Sequence, residues 1–298
     1  MKPKQVRKLL ERYRVTSGKG FRLKDYPPAD IAEGIVDKRA AESLLAEGVQ
    51  RLAELQELFY PHASWAMLCV FQAMDAAGKD GTIKHVMSGV NPQGVQVTSF
   101  KAPGPTELAH DFLWRVGICL PARGHIGIFN RSHYEEVLVA RVHAEVLARQ
   151  NLPAPLVGGR HFWAHRLEDI AAFERYLARQ GTLVLKFYLN VSREEQKRRF
   201  LERLDTPDKN WKFSAADLAE RAHWAEYMDA YEEAIAATAA PWAPWFVVPG
   251  DNKWFTRLVV VQAMIEALEG LDLKPMKLPP DDLARLEEAR RHLQEEGG

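Results

Sequence analysis

Five short apolar runs, at residues 65–71, 95–100, 126–129, 183–189 and 245–248, are separated by stretches of helical periodicity. Each run is of strand length, and a strand buried on both faces reads as an unbroken apolar run because helices cover it above and below. The alternation predicts an α/β fold, a doubly wound parallel sheet of about five strands with crossover helices. A chain of 298 residues, 47% hydrophobic and 27% charged, has room for one such core and an added helical module.

The flanks of this pattern read differently. Residues 1–35 mix charges and aromatics with Pro27 and Pro28 and carry no sustained period, as an arm packed on the body does. From 38 to 59 the apolar positions Leu44, Leu45, Val49, Leu52, Leu55 and Phe59 recur at threes and fours, which predicts an amphipathic helix ending before Pro61. Between the fourth and fifth runs, helical patterns at 194–204 and 214–237 are joined by the polar stretch 205–213. That insertion is too long for a simple crossover and predicts a helical lid at about 192–239. The expected organisation is an arm and helix over 1–60, a core with its lid over 61–270 and a charged tail over 271–298.

Charge narrows the partners. The 40 Lys and Arg balance 40 Asp and Glu, so no global field recruits nucleic acid or an anionic membrane, and a polyanion has to be held by local clustering. Cys69 and Cys119 sit in apolar surroundings with no second pair nearby, which suggests neither a disulfide framework nor a zinc site. The charged N-terminus lacks the apolar stretch of a signal peptide, and no segment approaches the roughly 18 apolar residues of a membrane span. A cytoplasmic location is the expectation.

Directly after the first apolar run comes Gln72-Ala73-Met74-Asp75-Ala76-Ala77-Gly78-Lys79-Asp80-Gly81-Thr82, and a helical pattern begins at Ile83. This is a phosphate loop in its proper context. Small residues (Ala76, Ala77, Gly78, Gly81) let backbone N–H groups approach phosphate oxygens, the helix N-terminus adds positive potential, and Lys79 supplies a mobile charge. Two positions depart from the usual pattern: Ala73 replaces its first glycine, and Asp80 stands where Ser or Thr normally holds Mg²⁺. Asp75 inside the loop would repel phosphate unless it holds a metal ion or orients the substrate, and the reading adopted is Mg²⁺.

The third run ends in Asn130-Arg131-Ser132, at a strand end of the kind that lines the ligand crevice. Asn130 stands where such enzymes carry a metal-binding Asp and offers a neutral oxygen, while Arg131 suits a bidentate phosphate clamp. In the lid, Arg193, Lys197, Arg198, Arg199 and Arg203 crowd one short helix. The crowding is either a solvated face or a set of lid cations that close over a transferring phosphoryl group, with Arg198 and Arg199 foremost and Lys212 third. The last run leads into Gly250-Asp251-Asn252-Lys253, where Asp251 or Asn252 either caps a helix or meets a nucleotide and Lys253 reaches phosphate. His161 and His165 share a helical face without a third ligand and read as structural.

With these motifs in view, the sequence resembles the polyphosphate kinase 2 family from about Leu44 to Leu268, through AMDAAGKDGTIKHVMSGVNPQGVQVTSF, FNRSHYEEVLVARVH, EEQKRRFLERLDTPDKNWKFS and VVPGDNKWF. The FNRSHYE form is similar to the class III subgroup. The resemblance implies a P-loop kinase-like fold, Mg²⁺ dependence and reversible phosphoryl transfer from inorganic polyphosphate to AMP and ADP, in a homo-oligomer. Residue by residue it implies that Asp75, Lys79 and Asp80 handle phosphate and Mg²⁺, that Arg131 is the strand-end ligand, and that Arg198 and Arg199 clamp from the lid. It also implies that Glu135 bears on the choice between AMP and ADP. Two other readings stand beside it: an ATP-dependent nucleoside or nucleotide kinase of the thymidylate kinase type, and a non-catalytic nucleotide-binding regulator.

Overall fold

Every side chain of Ala66–Gln72 is buried, so this segment can only be an interior strand with helices on both faces. The structure, a computed structural model, describes residues 3–34, 38–212, 215–275 and 279–296. Its strands are β1 (Arg14–Val15), β2 (Ala66–Gln72), β3 (Val95–Ser99), β4 (Ile126–Asn130), β5 (Thr182–Asn190) and β6 (Trp245–Pro249). They form one sheet in the order β1-β6-β5-β2-β4-β3, parallel throughout except where β1 pairs antiparallel with β6. From β2 the chain crosses outward to β3, returns to β4, and then places β5 on the other side of β2. The order therefore reverses at β2, and a crevice opens at its carboxyl end.

The helices are α1 (Pro3–Tyr13), α2 (Ala41–His62), α3 (Lys79–Val86), α4 (Pro105–Leu108), α5 (Trp114–Gly117), α6 (Val139–Val142), α7 (Ala144–Ala148), α8 (Phe162–Arg179), α9 (Arg193–Asp205), α10 (Ala215–Ala222), α11 (Trp224–Thr238), α12 (Lys253–Glu269) and α13 (Pro280–Glu295). α12 packs with α1, α2 and α3, while α11 packs with α8 and α6. α12 is apolar nearly all round, with Phe255, Leu258, Val259, Val260, Val261 and Met264 all buried, as expected of a helix wedged between a sheet and other helices.

Three expectations change. The sheet has a sixth strand, β1, contributed by the arm; two residues carry no periodicity, so nothing in the sequence marks it. α2 runs to His62 with Pro61 inside its last turn, and Ala63 in the left-handed region ends it. Of the insertion over 192–239, α11 belongs to the core, with Tyr227, Ala230, Tyr231, Ala234 and Ile235 buried. Tertiary burial absorbs that half of the insertion and leaves α10 as its loosely packed part.

The arm also crosses the carboxyl end of the sheet. Asn190 Nδ2 donates to the Tyr26 carbonyl at 2.7 Å and the Asp251 N–H donates to the Pro28 carbonyl at 3.1 Å. Asp30 anchors this strap by accepting from Arg12 Nε at 2.6 Å and from the Tyr13 hydroxyl at 2.9 Å.

Candidate active site

The loop between β2 and α3 lies in the crevice at the switch point. Gly78, at φ 101°, is in a region that residues with a Cβ rarely adopt, and Ala76 is held at φ 60°. The strain at Ala76 is maintained from α9. Arg199, buried, donates through Nη1 to the carbonyls of Ala76 (3.1 Å) and Ala77 (2.7 Å), and through Nη2 to those of Gly250 (2.7 Å) and Asp251 (3.2 Å). A trans peptide points its C=O and N–H in opposite directions. Holding the Ala77 carbonyl toward α9 therefore turns the Gly78 N–H to the other side of the loop. Arg199 thus meets backbone on both neighbouring loops.

Lys79 begins α3 and is buried, its Nζ donating to the Ala73 carbonyl at 2.8 Å. Burial, reinforced by the positive charge of Arg131, pushes its ammonium below the usual lysine value, while Asp75, Glu135 and Asp80 pull the other way. Thr82 is buried behind it. Arg131, just past β4, is at φ 63° and its N–H donates to the Phe71 carbonyl at 3.0 Å, so the two strand ends are tied together. Its Nη2 donates to Asp75 Oδ1 at 3.0 Å and Glu135 lies 3.9 Å from Nη1. Glu135, with Asp75, strengthens the positive charge of that guanidinium. Asn130 Nδ2 donates to Asp80 Oδ1 at 2.7 Å. Two carboxylates and two nitrogen donors are thus drawn together in pairs around the loop.

The remaining sequence-derived positions fall around this centre. Arg198 is largely exposed and paired with Glu195 (2.6 Å) and Glu202 (3.6 Å) on its own helix. Lys253 opens α12 on the exposed rim; burial lowers its proton affinity, as do the positive charges of Arg199 and Arg198. A Cβ built on Gly81 would lie 4.0 Å from Arg257 Nη2, which places a further cation one helical turn beyond Lys253. The backbone of Lys212 closes the short turn Pro207–Lys212, and its side chain lies outside the described residues.

Three polar residues at the site carry no signal in the sequence. Gln196 on α9 is buried and donates to the Asp75 carbonyl at 2.9 Å. Arg221 on α10 donates to Gln196 Oε1 at 2.7 Å. Asp217, also on α10, lies 3.6 Å from Arg203; burial and the charge of Asp75 push its carboxyl above the usual range, opposed by Arg203, Arg131 and Lys79. Only the fold brings them to the loop.

Comparison with known proteins agrees with this architecture. The family model described as Polyphosphate kinase 2 matches residues 35–275. An ADP-polyphosphate phosphotransferase of Rhodopseudomonas palustris is 46% identical over 283 residues, covering 95% of this chain and 98% of that protein. An AMP/ADP-polyphosphate phosphotransferase of Meiothermus ruber is 45% identical over 265 residues, covering 89% and 95%. The crystal structure of Polyphosphate Kinase 2 from Arthrobacter aurescens TC1 superposes with a TM-score of 0.83 at 41% identity, covering 92% of this chain and 95% of that one. Lys79 and the Gly78 amide on the loop after β2, with Arg131 across the switch point, sit within a P-loop kinase fold, and the chain belongs to the polyphosphate kinase 2 family.

Proposed function

We propose that this chain is a polyphosphate:nucleotide phosphotransferase that moves the terminal phosphoryl group of inorganic polyphosphate to AMP and ADP, and does so reversibly. The observation that carries the reading is the convergence of Lys79, Arg131, Asp75 and Asp80 around one phosphate loop. No nucleophilic Ser, Cys or His is needed. A loose, metaphosphate-like transition state asks the protein for in-line positioning and charge neutralisation.

Asp75 and Asp80 suit Mg²⁺, which takes hard oxygen ligands and is usually held by one or two carboxylates together with substrate phosphates. Each has one oxygen committed to a nitrogen donor, Arg131 or Asn130, which fixes the orientation of the other. Bound there, Mg²⁺ would neutralise charge on the donor and acceptor phosphate oxygens. The chain's own groups do the rest. The Gly78 amide and Lys79 cradle phosphate oxygens, and Lys79 exchanges the Ala73 carbonyl for the polyanion. Arg131 steadies Asp75 and presents its remaining N–H donors to phosphate. Glu135, 3.9 Å from Arg131 Nη1, is the candidate for discriminating AMP from ADP. Lys253 and Arg257 extend the positive rim along α12 for a long polyanion.

The test is purified protein with Mg²⁺, polyphosphate and one nucleotide. ADP should yield ATP, AMP should yield ADP and then ATP, and chelation of the divalent metal should stop both. ATP-dependent phosphorylation of a nucleoside with no use of polyphosphate would overturn the reading.

A further inference from the structure

We infer that Gln196 is a positioning residue that makes the shape of the phosphate loop depend on the docking of α10. The inference rests on the function proposed above only for its kinetic arm. Both ends of the Gln196 amide are used, and by different elements. Nε2 donates to the Asp75 carbonyl at 2.9 Å, and Oε1 accepts from Arg221 Nη1 at 2.7 Å. At 1% exposure water cannot replace either partner, so losing one leaves a buried polar atom unpaired.

The Asp75 carbonyl is a sensitive place to hold. It belongs to the peptide just before Ala76, whose φ of 60° a residue with a Cβ keeps only under constraint. Gln196 and Arg199 lie one turn apart on the same face of α9 and grip successive loop carbonyls: Asp75 by the first, Ala76 and Ala77 by the second. Gln196 therefore sets the peptide plane that aims the Asp75 side chain at Arg131.

On the other side, α10 is docked through polar groups on one face. Asp217 faces Arg203 at 3.6 Å, Glu220 accepts from the Tyr227 hydroxyl and lies 2.9 Å from His143 Nε2, and Arg221 also donates to the Arg193 carbonyl at 2.8 Å. Leu218 on this helix is 52% exposed. An element held by polar contacts with little apolar burial opens at low free-energy cost. When α10 leaves, Arg221 goes with it, the Gln196 amide loses the partner that fixes its rotation, and the grip on Asp75 slackens. The two positions of α10 are thus the two states that bias the loop.

The test uses the full chain with Gln196→Met, Arg221→Met, both together, and Gln196→Glu, which still accepts from Arg221 but cannot donate to the Asp75 carbonyl. The first readout needs no turnover: hydrogen exchange of the backbone amides over 76–79. Arg221→Met should speed exchange there in the wild-type background and add nothing once Gln196 is Met. The second is kinetic. Each single substitution, Gln196→Glu included, should lower kcat by about 3- to 30-fold, with a smaller effect on nucleotide KM, the range expected of a coupling residue that touches no substrate. The double variant should be no worse than the poorer single. Additive effects of Gln196→Met and Arg221→Met in either readout, or wild-type kcat in Gln196→Met, would overturn the inference. If wild-type protein fails to use polyphosphate at all, the function reading falls, and the exchange experiment still decides the role of Gln196.

Discussion

At Lys79 two physical effects compete. The charge proposed to handle phosphate is held where burial disfavours it, so the folded protein gives up that proton at lower pH than the unfolded chain. Between the two pKa values the unfolded state binds more protons, and stability rises with pH there; below the folded value the strain of a buried ammonium is fully present. A polyanion bound at the proposed site would relieve it. The alkaline limb of kcat/KM, which reports the free enzyme, should therefore begin below the usual lysine range, and the limb of kcat should lie higher. The pH–rate profile of Lys79→Arg, which keeps its charge, should lose that limb; its survival would assign the titration to another group. Lys79→Ala and Asp75→Asn should each cost roughly 10² or more in turnover while remaining folded, as oriented electrostatic groups do. Near-normal activity of Asp75→Asn at ordinary Mg²⁺ would remove it as the metal-organising group.

At the scale of α9, adjacent arginines have opposite surroundings because consecutive helix positions point about 100° apart. Arg199 faces inward and satisfies carbonyls of two loops, whereas Arg198 faces outward among carboxylates of its own helix. Arg199→Ala should destabilise the protein by about 3 kcal/mol or more, since each buried carbonyl left unpaired costs about 1–3 kcal/mol. Lysine should rescue it only in part, because one ammonium cannot span two loops. Arg198→Ala should change stability by less than about 1 kcal/mol, the ordinary worth of exposed ion pairs. A fall in its kcat larger than any rise in nucleotide KM would identify it as the clamp over the transferring group. Thermal melts and steady-state kinetics on the two Ala variants separate these roles, and a wild-type kcat for Arg198→Ala would leave it a solvated residue.

Across the whole molecule, a buried polar network ties the sheet to one helix layer behind the site. Lys186 on β5 is fully buried against Glu174 on α8, and donates to the Thr238 carbonyl of α11 at 2.8 Å. The Tyr134 hydroxyl donates its one proton to Glu174 at 2.8 Å and lies 2.8 Å from Thr238 Oγ1 as well, and Tyr134 lies three residues beyond Arg131. Burial pushes the Lys186 ammonium down, and Glu174, itself opposed by burial, is held below the usual carboxylate range by Lys186 and His133. Lys186→Met should cost about 3–5 kcal/mol, because it strands a buried carboxylate. The double variant Lys186→Met with Glu174→Gln should recover part of that loss in urea denaturation. If it is no more stable than the single variant, the pair is not the source of the cost.

The sequence determined the local part of this protein. Strand runs and the phosphate loop depend on neighbouring residues, so the first core strand, expected over 65–71, falls one residue on at Ala66–Gln72 with the glycine turn after it, whereas α3 begins at Lys79, four residues before the helical pattern expected from Ile83. β5 was legible too, short of its first and last residues. Tertiary structure decided whatever joins residues far apart in the chain. Gln196 meets Asp75 across 121 positions, and Arg199 meets Ala77 across 122. A glutamine or an arginine on a charged helix has the same sequence signature whether it is solvated or buried against a loop. The edge strand β1 followed the same rule, since two residues acquire strand geometry only by pairing with β6. Periodicity encodes which face of an element is buried; the backbone oxygen waiting on the other side is encoded only in the packing.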